Sequence, residues 1–301
     1  MTSWLDDLAA RQWRAERLLK RCGCPASLRR RILCRHYRRS APPAVQAQAR
    51  LFVEFLGEPG HRALSLAAEW LYYRAGMRSA WLGCSSPREV AVADVGAVSE
   101  TLQDRRGGLV IAALHTGDYL QALTGLGRCL GGQTLHLIRR SRDPARDARA
   151  FRRFAAAGIR TESIGHGSGA ARAALRILRR GGIVALLYDL PPRWGRSARV
   201  RLFGAPARMV VGPVALARAG NARILPVHNG FDRGRRLLVR AGPLLEPGRQ
   251  PHLLDPVSTT LQQLASFAER GIRRQPEQWH HWHLLPEFFA PGPQALPEPS
   301  A

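Results

Sequence analysis

From residue 107 onward, short runs of hydrophobic residues alternate with longer segments whose hydrophobic residues recur at helical spacing. The short runs are typical of buried strands, and the spaced segments are typical of helices that cover a sheet. The predicted strands are 109–114, 134–138, 160–164, 182–188, 223–228 and 237–240. The predicted helices are 117–129, 144–157, 170–180, 212–219 and 257–274. This alternation indicates an α/β fold with a mostly parallel central sheet flanked by helices.

The first hundred residues have a different pattern, without short apolar runs. Residues 1–40 are strongly basic and predicted to be helical, and residues 44–82 predict two helices rich in aromatic side chains. We therefore divide the chain into a helical N-terminal region (1–100), packed on or preceding the core, and an α/β domain (101–290). The remaining residues, 291–301, are predicted to be a Pro-rich disordered tail.

The chain carries a formal net charge of +24, and nearly all its basic residues are arginine, since Lys20 is the single lysine. A positive field attracts nucleic acid, acidic lipid headgroups or an acidic carrier protein. The arginines are spread along the chain and no nucleic-acid-binding motif accompanies them, which favours a membrane surface or an acidic protein. Nucleic-acid binding stays an alternative that rests on charge alone. The basic segment 1–40 suits either a helix in a membrane interface or a helix packed on the domain with its charged face in water.

Cysteine spacing and hydropathy bound the location of the protein. Five cysteines show no paired spacing typical of a zinc site, and an odd, sparse set suits a reducing compartment. The N-terminal segment contains acidic residues and no continuous apolar stretch typical of a signal peptide. No apolar run in the sequence is long enough to span a bilayer. We therefore expect a cytoplasmic protein that meets a membrane only from its side.

Polar residues follow three of the predicted strands and form the candidate site. His115 ends the first strand, and Asp118 supplies the acidic residue expected at the start of the next helix. Arg139 and Asp189 end two further strands. Parallel strands would bring His115, Arg139 and Asp189 to one rim of the sheet, where open α/β sheets bind ligands. A base, a cation and a carboxylate at one rim suit acyl or phosphoryl transfer, although each alone is compatible with a structural hydrogen bond or a loop salt bridge.

A series of short motifs lies between about residues 105 and 289. They are His115 with Gly117, Ile138-Arg139, Gly181-Gly182 running to Asp189, Leu202-Phe203-Gly204, Gly212-Pro213, Pro226, Ile272-Arg273, and Pro276-Glu277-Gln278-Trp279 with Trp282. In order and spacing this part of the chain resembles the lauroyl/myristoyl acyltransferases of lipid A biosynthesis, within the lysophospholipid acyltransferase superfamily. The first hundred residues resemble the family only loosely and lack its usual membrane-spanning helix.

The resemblance implies a glycerol-phosphate-acyltransferase-like fold, located on the cytoplasmic side of the inner membrane. It also implies transfer of a fatty acyl chain to a hydroxyl of a lipid or glycolipid. The donor would be an acyl carrier protein or coenzyme A thioester, with no other cofactor. His115 would act as general base, and Arg139 or the backbone N–H of Gly117 or Asp118 would stabilise the oxyanion. Asp189 would position a loop or bind the acceptor.

The sequence departs from the family pattern five residues after the histidine. The family has an acidic residue there that orients the imidazole, whereas this chain has Leu120. Three explanations stand: Asp118 substitutes for the missing carboxylate, Asp189 reaches His115 across the rim, or the protein is a degenerate member. A degenerate member would bind acyl chains or act as a scaffold without transferring them.

Two further groups complete the candidate residues. Arg193, Arg196 and Arg199 follow the strand that ends in Asp189, and they suit binding of a phosphorylated or otherwise anionic substrate. The Trp/His-rich segment 279–283 has no acidic partner at ligand spacing, so we predict no metal site there. Its aromatic residues are predicted to close the core or to line an acyl-chain entrance.

Overall fold

The computed structural model describes residues 3–81, 90–93, 98–100, 102, 107–139, 144–165, 167, 169–232, 236–247 and 256–289. The predicted tail, 291–301, lies outside these residues. Within them, no helix combines the length and apolar character needed to cross a membrane.

The N-terminal region is helical. Its helices are α1 (Ser3–Arg21), α2 (Ala26–Ser40), α3 (Pro43–Leu56) and α4 (Ala63–Trp81). Buried polar contacts join them, since the Gln12 side chain of α1 donates to the Tyr72 carbonyl of α4 (3.0 Å) and accepts from the Tyr37 hydroxyl of α2 (2.8 Å). Arg78 of α4 also pairs with Asp6 of α1. The basic segment of the sequence is therefore held against α4 by specific polar contacts.

The rest of the described chain alternates between strands and helices. The strands are β1 (Val90–Val92), β2 (Leu109–Ala113), β3 (Leu135–Arg139), β4 (Thr161–Gly165), β5 (Ile183–Leu187), β6 (Ser197–Leu202), β7 (Ala205–Val210), β8 (Arg223–Phe231) and β9 (Leu237–Ala241). The helices are α5 (Tyr119–Gly127), α6 (Pro144–Ala156), α7 (Ala170–Arg179), α8 (Gly212–Ala219), α9 (Pro256–Arg274) and α10 (Leu285–Phe289). Short 3-10 turns cover Gly60–Arg62, Pro192–Trp194, Pro276–Gln278 and Trp282–Leu284.

Seven of these strands form one sheet in the order β1-β9-β8-β2-β5-β3-β4. Every pairing in this sheet is parallel except that of β8 with β9. The predicted α/β fold with a mostly parallel central sheet is therefore confirmed. Strands β6 and β7 form a separate antiparallel hairpin in a segment that contains none of the predicted strands.

Hydrophobic cores lie on both faces of the central strand β2. Val110 and Ala112 belong to the cluster that contains side chains of the N-terminal helices, while Leu109 and Ile111 belong to the cluster on the other face. All four are fully buried, as expected of a parallel strand covered on both sides. This explains why β2 reads as a continuous apolar run rather than an alternating one.

Candidate active site

His115 and Asp189 meet at the carboxyl edge of the sheet because their strands are in register. Ala113, the last residue of β2, lies opposite Leu187, the last residue of β5, and each site residue follows two positions later. The Nδ1 atom of His115 lies 2.8 Å from Oδ1 of Asp189. The backbone N–H of His115 also donates to this carboxylate, at 3.0 and 3.1 Å from its two oxygens.

The Asp189 carboxylate is buried and held from more than one side. Its side chain is 2% exposed, and its Oδ2 accepts a hydrogen bond of 2.8 Å from the indole N–H of Trp279. An ionised carboxylate only accepts hydrogen bonds, so we assign the Nδ1 proton of a neutral His115 to the contact with Asp189. In that tautomer, the Nε2 atom of His115 retains a lone pair that can accept a proton.

Hydrogen bonds hold His115 and the segment after it against residues 278–280. The Gly117 N–H donates to the Gln278 carbonyl (3.1 Å), and the Gly117 carbonyl lies 2.8 Å from Nε2 of His280. The backbone N–H of His280 donates to the carbonyl of His115 itself, also at 2.8 Å. Glycine is needed at 117 because its φ is +48° and a Cβ there would lie 2.6 Å from Oδ1 of Asn229.

Asp118 serves the helix that follows. Its Oδ1 accepts a hydrogen bond of 3.2 Å from the backbone N–H of Gln121, so Asp118 is the N-cap of α5. Leu120, where the sequence departs from the pattern of the family that it resembles, lies half-buried in the first turn of the same helix. Of the two carboxylates that the sequence offered as partners for His115, Asp189 is the one hydrogen-bonded to its ring.

Arg139 is engaged with its own neighbours rather than with His115 and Asp189, contrary to the expectation that all three converge. It ends β3, which β5 separates from β2. Its guanidinium pairs with Asp147 of α6 and lies 5.7 Å from the centre of the Phe151 ring.

The three arginines predicted to bind an anionic substrate lie on the surface after β5. Arg193, Arg196 and Arg199 are all exposed. Arg193 forms an ion pair of 2.9 Å with Glu287, and Arg199 lies opposite Arg208 in the β6–β7 hairpin. Their exposure leaves them accessible to an anionic ligand, but they are not brought into contact with His115.

The sequence interpretation missed His281. Its ring centre lies 4.2 Å from that of His115, and neither of its ring nitrogens has a hydrogen-bond partner among the described residues. Burial, followed by the neighbouring His115, His280, His283 and Arg74, lowers the pKa of His281 well below its usual value. The Trp/His-rich run after the Pro-Glu-Gln-Trp motif was the available signal, but only the fold reveals which histidine meets His115.

Together, His115, Asp189 and His281 could hold a metal ion, because their ligand atoms lie within 4.8 Å of one another. Two imidazoles and a carboxylate suit zinc and similar transition metals. The expectation that the site needs no metal therefore stays a prediction.

Comparison with known proteins matches the region that contains this site. A family model described as bacterial lipid A biosynthesis acyltransferase matches residues 100–285. A comparison with curated proteins found no match. The matched region begins before β2 and includes His115, Asp189 and residues 278–280.

Proposed function

The chain belongs to the bacterial lipid A biosynthesis acyltransferase family, and from this premise we propose which reaction it catalyses and with which residues. It transfers a fatty acyl chain from an acyl carrier protein or coenzyme A thioester to a hydroxyl of a lipid or glycolipid. His115 is the general base, and Asp189 is the carboxylate that orients it. The observation that carries the proposal is the 2.8 Å contact between Nδ1 of His115 and Oδ1 of Asp189.

The geometry of this pair suits proton transfer at the other ring nitrogen. As the acceptor hydroxyl attacks the carbonyl carbon of the thioester, Nε2 of His115 takes its proton. The tetrahedral intermediate then breaks the carbon–sulfur bond, and the imidazolium returns the proton to the departing thiolate. Throughout, Asp189 holds the ring in one orientation and stabilises its charged form, the role of the aspartate in hydrolase triads.

The substitution at Leu120 favours a second candidate function, acyl binding without transfer. The contact between His115 and Asp189 supports an active enzyme, because the residue after β5 supplies the carboxylate that is missing at Leu120 in α5. The two functions differ in a direct assay. A degenerate member would retain a bound acyl chain without forming an acylated lipid.

The surface of α2 supports a membrane surface as the place where the acceptor is met. Leu28 and Ile32 are 43% and 42% exposed, and exposed arginines, including Arg31 and Arg35, flank them. Apolar side chains among basic ones on a helix are typical of proteins that lie on anionic bilayers. We therefore propose that α2 faces an anionic membrane.

A groove of about 820 Å³ borders the same helix. It is lined by Ala26, Ser27, Arg30, Arg31, Cys34, Arg35, Arg38, Glu69, Tyr73 and Asp232. Arg30 forms an ion pair of 3.2 Å with Glu69. Arg31, Arg35 and Arg38 are exposed to solvent. The groove is therefore suited to anionic headgroups, and the acidic carrier protein is the other anionic partner that we propose for this chain.

Transfer of a labelled acyl chain from acyl carrier protein or coenzyme A to a bacterial lipid extract tests the proposed function. We expect His115→Ala to lower the rate by at least about a hundredfold, the usual contribution of a general base, while the folding transition is retained. Transfer that is present but unaffected by His115→Ala would refute the assignment of the base. Tight acyl binding without transfer by the unsubstituted protein would favour the degenerate alternative.

A further inference from the structure

His281 is a polar side chain whose hydrogen-bonding groups are left unused beside the candidate base. The residue as a whole is partly exposed, yet both of its ring nitrogens are buried and without a partner among the described residues. Buried polar atoms in folded proteins are nearly always hydrogen-bonded, so an exception at a site calls for an explanation. The distance of 4.2 Å between the ring centres of His115 and His281 puts this exception at the reaction centre.

The position of His281 decides what its ring can offer. Both nitrogens are buried, and the ring lies beside that of His115. A neutral imidazole has one N–H donor and one acceptor nitrogen. Such a ring can polarise a carbonyl oxygen without itself losing a proton.

Two of the other donors that the sequence suggested for an oxyanion, on Gly117 and Arg139, have partners of their own. The N–H of Gly117 donates to the Gln278 carbonyl, at 3.1 Å. Nη2 of Arg139 is bound to Asp147, and β5 separates the strand of Arg139 from that of His115. The ring of His281, in contrast, lies beside that of His115 and has no hydrogen-bond partner among the described residues.

We infer that the ring N–H of His281 donates a hydrogen bond to the thioester carbonyl oxygen as that oxygen becomes negatively charged. This inference rests on the proposed function, because it assumes that an acyl thioester is attacked beside His115. The attacked carbon must lie within bonding approach of a hydroxyl held at Nε2 of His115, and the ring of His281 is adjacent to this position because its centre lies 4.2 Å from that of His115. Donors aimed at such an oxygen are among the largest contributors to acyl transfer.

A shared metal ion is the competing explanation for the unpartnered ring. A tetrahedral zinc ion bound to both Nδ1 of His115 and Oδ1 of Asp189 would hold these atoms about 3.3 Å apart. The observed separation is 2.8 Å, which is a hydrogen-bond distance. The geometry therefore favours a proton between them, and the metal becomes an outcome of the test.

The test compares His281→Ala and His281→Gln with His283→Ala, a matched control on the same segment whose ring lies 5.9 Å from that of His281. We expect His281→Ala to lower kcat by about a hundredfold or more, with little change in KM for the thioester, as for other lost oxyanion donors. The side-chain amide of His281→Gln should restore part of the rate. His283→Ala should stay close to the unsubstituted protein.

Hydrolysis of the acyl thioester without a lipid acceptor is measured in parallel, together with thermal unfolding of each variant. If His281→Ala does not fold, the rates of His281→Gln and His283→Ala are compared instead. A rate for His281→Gln that is lower than that of His283→Ala is the expected result. Full activity of folded His281 variants, with His115→Ala inactive, would overturn this inference and leave the proposed function standing. Full activity of His115→Ala would instead overturn the proposed function. A loss that chelation reproduces in the unsubstituted protein, and that added zinc reverses, would also overturn the inference, because His281 would then be a metal ligand.

Discussion

The carboxylate of Asp189 is positioned by an indole that lies ninety residues further along the chain. Trp279 donates a hydrogen bond of 2.8 Å from its indole N–H, the only polar N–H of that side chain, to Oδ2 of Asp189, inside a buried aromatic cluster. Removing this donor takes one hydrogen bond from a buried carboxylate that keeps its contacts with His115, which costs about 1–3 kcal/mol. The same loss removes one of the contacts that hold the carboxylate in its orientation toward His115.

Trp279→Phe should therefore lower both stability and rate. We expect the free energy of unfolding to fall by about 1–3 kcal/mol and kcat to fall roughly tenfold or more, by analogy with the loss of other groups that orient a reacting side chain. The matched control is Trp282→Phe, because Trp282 is equally buried but donates to the Pro276 carbonyl (2.9 Å). Urea unfolding and the acyl-transfer assay make the comparison. Equal losses of rate in the two variants would mean that Trp279 acts only through packing.

At this scale the sequence predicted two side chains that the structure brings together, but not all of their contacts. His115 and Asp189 could be found because each follows an apolar strand at the edge where α/β sheets bind ligands. Their contact depends on the register between β2 and β5, which hydrophobicity does not encode. Arg139 shows the opposite case. Its guanidinium pairs with Asp147, eight residues later, and not with His115 or Asp189.

At the scale of the element, the start of α5 shows which of two carboxylates stabilises a helix and which one is positioned to orient His115. Asp118 accepts from the Gln121 N–H as an N-cap, whereas Asp189 accepts from the ring of His115. Asn is as good an N-cap as Asp, so Asp118→Asn should keep both the helix and the activity within a few-fold. Asp189→Asn should lower kcat by orders of magnitude, up to about 10⁴ in the comparable protease variant. The acyl-transfer assay on the two purified variants decides this, and a severe loss in Asp118→Asn would make Asp118 the orienting partner.

The predicted elements were found where hydrophobic residues dominate, and the hairpin shows where that signal fails. Strand β6 alternates exposed Arg199 and Arg201 with buried Val200 and Leu202, but this alternation covers only four residues, and Pro206 follows early in β7. Their turn depends on positive φ at Phe203 (52°) and Gly204 (83°), a conformation suited to two-residue hairpins. Phe203 at such a position is not foreseen from propensity, since non-glycine residues rarely adopt it.

At the scale of the whole molecule, buried histidines make stability depend on pH. Burial lowers the pKa of His228 to about 4, and that of His281 and His283 moves in the same direction. Below pH 6.5 the unfolded chain takes up protons that the folded His228 does not, so the free energy of unfolding falls as the pH drops from about 6.5 to about 4.

For His228 alone the loss amounts to about 3 kcal/mol at the acidic end of this range. Replacing it should therefore flatten the dependence. We expect His228→Leu to show a shallower decline than the unsubstituted protein in urea unfolding carried out between neutral and acidic pH. An exposed histidine, in His61→Leu, serves as the control and should keep the original slope. Parallel curves for the two variants would contradict the assignment of the pH dependence to His228.

The net charge of +24 acts at this scale through the proposed membrane surface of α2. Each arginine near an anionic bilayer contributes about 1 kcal/mol, so Arg31→Glu with Arg35→Glu should weaken binding to phosphatidylglycerol vesicles by tenfold or more. Arg172→Glu with Arg176→Glu, on the exposed face of α7, makes the same change of charge elsewhere. Vesicle co-sedimentation at two salt concentrations measures both. Equal weakening in the two double variants would show that overall charge, not the α2 surface, governs binding. Binding to nucleic acid but not to vesicles would favour the alternative of a nucleic-acid-binding protein.

The pairing of His115 with Asp189 is tested most directly by a double-mutant cycle on kcat/KM for acyl transfer. The cycle compares His115→Ala, Asp189→Asn and the double variant with the unsubstituted protein. Because Asp189 is expected to act only through the imidazole, we predict that the double variant is no slower than His115→Ala alone. Losses that multiply in the double variant, or an unchanged rate in Asp189→Asn, would contradict the pairing.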